Sequence, residues 1–178
     1  MIYQTVDKKK QIELTELFIS VFTSSEGESE GKLIGELVSE LALNIDNGEI
    51  ICFGAYENET IIGAIFFTQL RFNNPIKVYM LAPVAIRTEH QGKGIGQALI
   101  NYGHSELKKR FVDVSVTYGA PSFYSKVGFQ SLSENIIRAP LKLSMPVGWL
   151  GQSLTGEPIQ PINGRPACVK EFNDPAYW

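Results

Sequence analysis

The spacing of apolar residues predicts two helices near the N-terminus. Between residues 7 and 22 the apolar positions fall mostly on one helical face, and Asp7 is suited to cap that helix. Residues 24–31 are polar, acidic and interrupted by glycine, which predicts a solvated loop. A second amphipathic helix should follow, with an apolar face made of Leu33, Ile34, Leu37, Val38, Leu41 and Leu43. We therefore expect two helices ahead of the main sheet.

The middle of the chain has the pattern of antiparallel strands. Residues 50–56 and 61–70 are rich in β-branched and aromatic side chains, and the turn-forming residues 57–60 between them indicate a hairpin. A second turn at residues 73–75 leads into a third candidate strand over 77–86. Three consecutive antiparallel strands are the simplest arrangement of these segments.

The pattern then alternates between helix and strand. Residues 94–110 begin with glycines, carry apolar residues at helical spacing and end in basic residues, which predicts a third helix. A strand over 112–117, a short helix over 122–127 and a strand from Phe129 onward should follow. A last strand is expected over 136–144. This order predicts a mixed α/β fold.

The C-terminal part of the chain has a different composition. From residue 145 onward Pro and Gly become frequent and the apolar periodicity fades. Its aromatic side chains supply apolar area for packing. We therefore predict one core domain over residues 1–144 and an extension over 145–178 that packs on the same domain, rather than a second domain.

Composition and charge exclude several classes of protein. Hydrophobic residues form 44% and charged residues 20% of the 178 positions, which excludes disordered, collagen-like and coiled-coil chains. The net charge of -3 provides no positive field, so nucleic acid and anionic membranes are not expected partners. The only two cysteines, Cys52 and Cys168, form no CxxC pair, so we expect no metal. His90 and His104 are expected at the surface. Because no signal segment or membrane-spanning run is recognisable, a cytoplasmic location is predicted.

Residues 81–100 carry the clearest chemical signal. An apolar strand runs through a short polar turn into Gly92, Gly94 and Gly96 and then into a helix. Glycines expose backbone N–H groups, and a helix N-terminus attracts anions, so this turn is suited to a pyrophosphate. A tight turn without a ligand would also explain the glycines. The P-loop pattern fails because Lys93 is not followed by Ser or Thr, and the GxGxG spacing is not that of a dinucleotide fold.

Two motifs in this part of the chain resemble a known family. Residues 91–96, Gln-Gly-Lys-Gly-Ile-Gly, match the Q/R-x-x-G-x-G/A signature of the GNAT superfamily of acetyl-CoA-dependent N-acetyltransferases. Residues 122–129, Ser-Phe-Tyr-Ser-Lys-Val-Gly-Phe, match its FYxxxGF motif. The resemblance covers residues 2–144, and the segment LAPVAI with the tail FNDPAYW looks like the bacterial YhbS-like branch. It implies an α/β (α+β) fold with a mixed, mostly antiparallel central sheet that is flanked by helices and splayed around the cofactor.

The resemblance also implies a reaction and a site. The enzyme would move an acetyl group from acetyl-CoA directly to a primary amine of a small molecule or protein, without a covalent enzyme intermediate. Tyr124 matches the tyrosine that protonates the departing CoA thiolate; a core aromatic is the alternative reading. The strand before the turn would pair with the pantetheine arm and the turn would hold the pyrophosphate. The positions implied for cofactor binding are Val84, Ala85, Ile86, Gln91, Gly92, Lys93, Gly94, Ile95, Gly96 and Lys126.

Several alternatives stay open at the level of sequence. Lys126 and Arg87 are equally well explained as solvated surface cations. Many relatives supply a carboxylate base from the strand before the signature, whereas residues 76–86 contain none. Relatives place an Asn where this chain has Thr117. The alternative function is a non-catalytic acyl-CoA-binding regulatory module, followed by a protein-interaction role. The acceptor amine and the question of a homodimer are not decided by the sequence.

Overall fold

A strand that the apolar pattern does not reveal begins the chain. The computed structural model describes residues 1–178 and places β1 at Ile2–Thr5. This strand pairs antiparallel with β2, with Ile2 opposite Tyr56. Most of β1 is exposed on both faces, so its side chains carry no alternation that the sequence analysis could detect. The prediction that helices come first was therefore wrong.

The two predicted helices form, but the loop between them does not. Helix α1 spans Gln11–Glu26 and helix α2 spans Glu28–Leu43, so that Gly27 alone separates them. Gly27 has φ +99°, a conformation that glycine adopts at no steric cost. The predicted loop over 24–31 was wrong because its polar residues are mostly the exposed surface of two helix ends. Gly31 lies against Thr23 with no room for a Cβ, which brings the two helices close together.

The predicted hairpin is present and its turn is tight. Strands β2 (Ile50–Glu57) and β3 (Thr60–Leu70) are joined by Asn58 and Glu59. Their φ values of 48° and 65° are those of a type I′ turn, which matches the twist of antiparallel strands. Strand β4 follows at Val78–Ile86.

The second half of the chain contains the remaining elements. Helix α3 spans Ile95–Lys109, strand β5 spans Val114–Tyr118 and the short helix α4 spans Pro121–Tyr124. Strand β6 is Gln130–Ser131, and β7 is Trp149–Ser153.

The last predicted strand, over residues 136–144, does not form. Pro140 is disfavoured in a sheet interior because proline has no backbone N–H to donate to a neighbouring strand. Side chains bind this segment instead: Trp149 Nε1 donates to Ile137 O over 2.9 Å, and Arg165 Nη1 donates to Ala139 O over 2.9 Å. The next strand after this segment is β7, which lies within the stretch that was predicted as an extension.

The strands form one seven-stranded sheet in the order β1-β2-β3-β4-β5-β7-β6. Strands β4 and β5 are parallel, and their pairing runs from Val78 opposite Val114 to Leu81 opposite Thr117. Strand β7 pairs antiparallel with both β5 and β6. The predicted fold, a mostly antiparallel α/β sheet with flanking helices, is confirmed.

The chain divides into two compact units. The first consists of Met1–Phe67 and Pro83–Gly103, and the second of Thr68–Ala82 and His104–Trp178. The core of the first contains Phe18, whose ring centroid is 5.9 Å from that of Phe66. The core of the second contains the fully buried Trp149, 6.3 Å from Trp178 between ring centroids. The boundary between residues 1–144 and 145–178 stays a prediction. No helix combines the length and the apolar character needed to cross a bilayer.

One histidine prediction was wrong. His104 is only 4% exposed, and its Nε2 lies 3.0 Å from Ser115 Oγ. A neutral imidazole with a hydroxyl partner can be buried at modest cost, which makes this a core histidine rather than a surface one.

Candidate functional site

The glycine turn after β4, residues 91–96, has empty space at the positions that side chains on Gly92 and Gly94 would occupy. Gly92 and Gly94 have φ values of +73° and +78°, in the left-handed region that favours glycine. A Cβ built at either position would meet no atom within 4 Å. Helix α3 begins directly afterwards, at Ile95. The turn thus leaves free space next to its own backbone and next to a helix N-terminus.

Backbone donors are concentrated at this turn. The first backbone hydrogen bond of the helix runs from Ala98 N–H to Gly94 O over 3.0 Å. The N–H groups of residues 92–97, which precede it, therefore have no main-chain acceptor. Together with the positive end of the dipole of α3, these donors form a site for an anion with several oxygen atoms.

Two polar side chains of the motif hold the turn itself. Gln91 Nε2 donates to Ile86 O over 2.9 Å, and Lys93 Nζ donates to Glu89 O over 3.1 Å. Both bonds join the turn to its own carbonyl groups and fix its shape. Gln91 and Lys93 would therefore contribute to anion binding mainly through their backbone N–H groups.

The end of β4 presents main-chain groups on one edge. Arg87 N–H donates to Ile62 O over 2.8 Å, so this peptide faces β3. Successive N–H groups in an extended strand point to opposite edges. The N–H of Ala85 therefore also faces β3, while those of Val84 and Ile86 face the other edge. Of the three predicted strand residues, Val84 and Ile86 have the N–H groups suited to pair with an added chain on that edge.

Tyr124 is the last residue of helix α4. Pro121 is the first, and at this position a helix makes no use of the backbone N–H that proline lacks. The ring of Tyr124 lies on Gly119, where a Cβ would come within 2.6 Å of Tyr124 Cε2. Phe123 and Phe129 contact the ring edge-to-face, with centroids 5.0 and 5.6 Å away. Burial raises the pKa of the phenol, and a hydrogen-bonding interaction with Thr117 acts in the opposite direction. The Tyr124 phenol is therefore protonated at neutral pH, and its ring packs against Gly119, Phe123 and Phe129.

Thr117 is a residue whose part in this site was missed by the sequence analysis, which treated it only as a departure from the family pattern. Its side chain is fully buried, and its Oγ1 donates to Leu81 O over 2.7 Å. The signal available in the sequence was its place in β5, where the hydroxyl residues Ser115 and Thr117 alternate with valines, seven positions before Tyr124.

The remaining predicted residues are placed as follows. The side chain of Lys126 is exposed to solvent. Ile95 is 8% exposed and contributes apolar contact at the start of α3. Strand β4 carries no carboxylate. No group of three or more His, Cys, Asp or Glu side chains is arranged to hold a metal ion.

One carboxylate in the first compact unit has an altered pKa. Burial alone would raise the pKa of Glu13, but hydrogen bonds from Lys10 Nζ, over 2.8 Å, and from Ile61 N–H, over 3.2 Å, hold it below its usual value. Because its oxygens already accept these bonds, Glu13 anchors α1 to β3 and is not suited to accept a further proton.

Known acetyltransferases resemble the part of the chain that contains the glycine turn and Tyr124. The model of the acetyltransferase (GNAT) domain matches residues 48–131, which include β4, the glycine turn and Tyr124. The chain is 28% identical over 120 residues to the uncharacterized N-acetyltransferase YjhQ of Escherichia coli (strain K12), and this match spans 64% of the chain and 65% of YjhQ.

Solved structures share the fold at lower sequence identity. The GNAT family N-acetyltransferase YhbS from Escherichia coli, in complex with CoA, matches 97% of this chain and 92% of its own at 19% identity, with a TM-score of 0.79. A GNAT family acetyltransferase from Brucella melitensis in complex with acetyl-CoA matches 97% of both chains at 19% identity, with a TM-score of 0.69. The predicted likeness to the YhbS-like branch is confirmed at the level of fold.

Proposed function

We propose that this chain is a member of the GNAT superfamily of acetyltransferases and that it transfers an acetyl group from acetyl-CoA directly to a primary amine of a small molecule or protein. The observation that carries the proposal is the row of backbone N–H groups over residues 92–97, next to two glycines that leave open space. CoA and acetyl-CoA are bound by the two structural relatives described above.

The glycine turn fits a pyrophosphate. A diphosphate needs several convergent hydrogen-bond donors and room for its oxygens. The N–H groups of residues 92–97 are the donors, and the empty space beside Gly92 and Gly94, both at positive φ, is the room. A side chain at either glycine would enter that room. We assign the main chain of Gln91, Gly92, Lys93, Gly94, Ile95 and Gly96 to this contact, with exposed Lys126 as an additional phosphate partner through its charge.

The free edge of β4 is the second contact. The pantetheine arm contains amides, which can add to a strand edge as a peptide would. The N–H groups of Val84 and Ile86 face that edge, and the backbone of Ala85 between them completes the stretch. When bound, acetyl-CoA supplies the activated acetyl group. The N–H of Ile86 would polarise the thioester carbonyl by donating to its oxygen, whereas the N–H of Ala85 faces β3 and is not placed to do so.

Tyr124 would provide the proton that the departing sulfur needs. The raised pKa of the buried phenol keeps it protonated at neutral pH. On transfer, the phenol O–H gives its proton to the CoA thiolate, and Tyr124 regains a proton from solvent before the next turnover. The amine must lose one proton as its new bond to the acetyl carbon forms. Because β4 carries no carboxylate, we assign no general base and expect water to take this proton.

Three further predictions accompany this function. We propose a cytoplasmic location, because a chain of 178 residues with two cysteines lacks the cysteine-rich composition of small secreted domains. We propose that residues 1–144 form the acetyltransferase domain and that 145–178 complete it, since β7 of the extension pairs with β5. A homodimer stays a prediction that sedimentation velocity can test.

The direct test measures CoA thiol release from acetyl-CoA across a panel of primary amines. Wild type should release thiol with at least one amine, and Tyr124→Phe should lower kcat by about 10²-fold while acetyl-CoA still binds. Binding of CoA without turnover on any amine would favour the regulatory module instead. Failure to bind CoA at all would contradict both functions.

A glycine variant tests the anion site. Gly94→Glu should abolish CoA binding, since it adds a negative charge at the expected pyrophosphate. Its matched control is Gly164→Glu, because Gly164 also has positive φ, +87°, and empty space around its Cβ position. This control creates the same backbone strain in a segment remote in sequence from the turn. If both variants bind CoA as wild type does, the assigned site is wrong.

A further inference from the structure

The segment over residues 172–178 folds back on itself and buries Trp178. This side chain is only 4% exposed, and its Nε1 donates to Phe172 O over 2.8 Å. The carboxylate of Asp174 accepts from Ala176 N–H over 2.9 Å and so holds the turn that leads to Trp178. An indole whose N–H has a partner can be buried without leaving a polar group unsatisfied. The segment therefore has a defined conformation that keeps one large ring buried.

The ring of Trp178 covers the end of a pair of strands. Tyr118 is the last residue of β5 and Trp149 is the first of β7, and the two lie opposite each other in the antiparallel pairing. Trp178 stacks on Tyr118, with the ring planes 15° apart and the centroids 6.2 Å apart, and its centroid lies 6.3 Å from that of Trp149. Opposed residues of two strands have their side chains on the same face of the sheet, so one ring contacts both.

Hydrogen bonds give the side chain of Tyr118 a second attachment. Its Oη accepts from Met145 N–H over 2.6 Å and lies 3.1 Å from Ser144 Oγ. The N–H of Ser144 in turn donates to Trp178 O over 3.1 Å. Ring stacking and these hydrogen bonds thus connect Tyr118 to Trp178 by two routes.

The backbone that supports the ring of Tyr124 comes directly after Tyr118. Gly119 N–H donates to Gly148 O over 2.9 Å, which extends the pairing of β5 and β7 by one residue. A Cβ on Gly148 would lie 3.0 Å from Gly119 O and 3.3 Å from the ring of Tyr118, and one on Gly119 would lie 2.6 Å from Tyr124 Cε2. Because closely packed groups transmit a displacement to their neighbours, a shift of the backbone at Gly119 would move the phenol ring.

We propose that Trp178 is a positioning residue for Tyr124, which acts through Tyr118 and Gly119. This inference rests on the proposed function of Tyr124 as the acid. Without the indole ring, Tyr118 loses its stacking partner, and the backbone under the phenol gains freedom to move. A proton donor works only when it is held in the right position, so the loss of Trp178 slows proton donation. The C-terminal segment thus has a part in turnover besides completing the sheet.

The first experiment observes the ring of Tyr124 without turnover. Because the chain has 7 tyrosines, a fluorinated tyrosine is incorporated at position 124 alone, and its ¹⁹F resonance is recorded. Trp178→Leu keeps an apolar side chain but removes the flat ring that stacks on Tyr118. In this variant the resonance should move toward that of a solvent-exposed tyrosine. Trp178→Phe keeps an aromatic ring and should retain the wild-type resonance.

A matched control removes buried apolar atoms from the opposite end of the same two strands. Leu154 is 7% exposed, and its N–H donates to Asp113 O over 2.8 Å, next to the start of β5. Leu154→Ala should lower the stability of the protein, as Trp178→Leu does, but leave the resonance of residue 124 unchanged. An equal shift in both variants would overturn the proposal, because any loss of packing would then suffice.

An unchanged resonance of residue 124 in a folded Trp178→Leu protein would also overturn the proposal. If Trp178→Leu does not fold, Tyr118→Leu removes the same stacking contact from the other side. A resonance that moves toward the exposed value in Tyr118→Leu supports the proposal, and an unchanged one contradicts it.

The second experiment measures thiol release by the unlabelled protein. At saturating acetyl-CoA and amine, Trp178→Leu should lower kcat about tenfold and leave the KM for acetyl-CoA within about twofold, because the glycine turn is not altered. In a Tyr124→Phe background, where no phenol proton is available, the same substitution should change kcat by less than about twofold. Leu154→Ala should keep the kcat of wild type.

The two measurements separate the inference from the proposed function. An equal loss of kcat from Trp178→Leu in both backgrounds, or no loss in either, contradicts the inference and leaves the acetyltransferase function intact. Should no protein release thiol while the ¹⁹F resonance changes as expected, the proposed function fails and the placement of Tyr124 by Trp178 stands.

Discussion

His104 Nε2 lies 3.0 Å from Ser115 Oγ, and the two residues form a buried polar pair between α3 and β5. Burial, together with the positive charge of Lys108, lowers the pKa of His104 to about 4 from an ordinary value of 6.5. Between these two values the unfolded chain binds the proton and the folded chain does not. The stabilising contribution of the neutral imidazole is therefore complete above pH 6.5 and is lost as the pH falls toward 4.

This relationship predicts an acid-sensitive stability. The free energy of unfolding should decrease by roughly 3 kcal/mol between pH 7 and pH 4 on account of His104 alone. Urea unfolding at a series of pH values measures it, with His104→Gln as the control because the amide cannot titrate. The difference between wild type and this variant should grow smaller as the pH falls. A pH-independent difference would show that His104 does not titrate in this way.

The turn between β2 and β3 offers a stabilising substitution. Glu59 adopts φ 65°, where a glycine has no steric penalty, and it follows Asn58 in a type I′ turn for which Asn-Gly is the preferred pair. We expect Glu59→Gly to raise the free energy of unfolding by about 0.5–1 kcal/mol. Thermal unfolding of the two proteins decides this. The expected control is Glu57→Gly, at the exposed end of β2, which should destabilise because its backbone is extended.

The packing of Tyr124 on Gly119 predicts a coupled pair of substitutions. A Cβ at position 119 would lie 2.6 Å from Tyr124 Cε2, so Gly119→Ala should displace the ring and cost about 1–3 kcal/mol of stability. Thiol release should fall as well, because the phenol leaves its position. In a Tyr124→Ala background the same substitution should cost almost nothing. Equal costs in the two backgrounds would mean that some contact other than this ring is responsible.

The sequence was most informative where the pattern is local and strong. Buried strands such as β3 and the amphipathic part of α3 have periodicities that reveal them directly, and the glycine motif marks the turn after β4. Strand β1 escaped because an exposed edge strand has no apolar face to recognise. The segment over 136–144 misled because its apolar side chains fill the core from an irregular backbone that side-chain donors hold in place.

The candidate site shows the same division between local and long-range information. Motifs in the sequence were enough to predict roles for residues 91–96 and Tyr124. The alternation that turns Ala85 toward β3 depends on strand register, which one sequence does not contain. The hydrogen bond of Thr117 to Leu81 links residues 36 positions apart, and such a contact exists only once β4 and β5 pair. Long-range geometry of this kind is the part that sequence patterns could not supply.

The contact between α1 and α2 yields the last prediction. Gly35 of α2 lies against Ile19 of α1, and a Cβ at position 35 would overlap the Ile19 side chain. Helix propensity alone favours alanine over glycine by about 1 kcal/mol, so Gly35→Ala would stabilise an isolated helix. In this protein the overlap should dominate, and we expect a net loss of about 1–2 kcal/mol. Ile19→Ala removes the atoms that overlap, and because Ile19 is 40% exposed its own cost is small. The double variant should therefore recover the stability lost in Gly35→Ala, measured by urea unfolding. If Gly35→Ala alone raises stability, the two helices can separate without cost and the small residue does not set their distance.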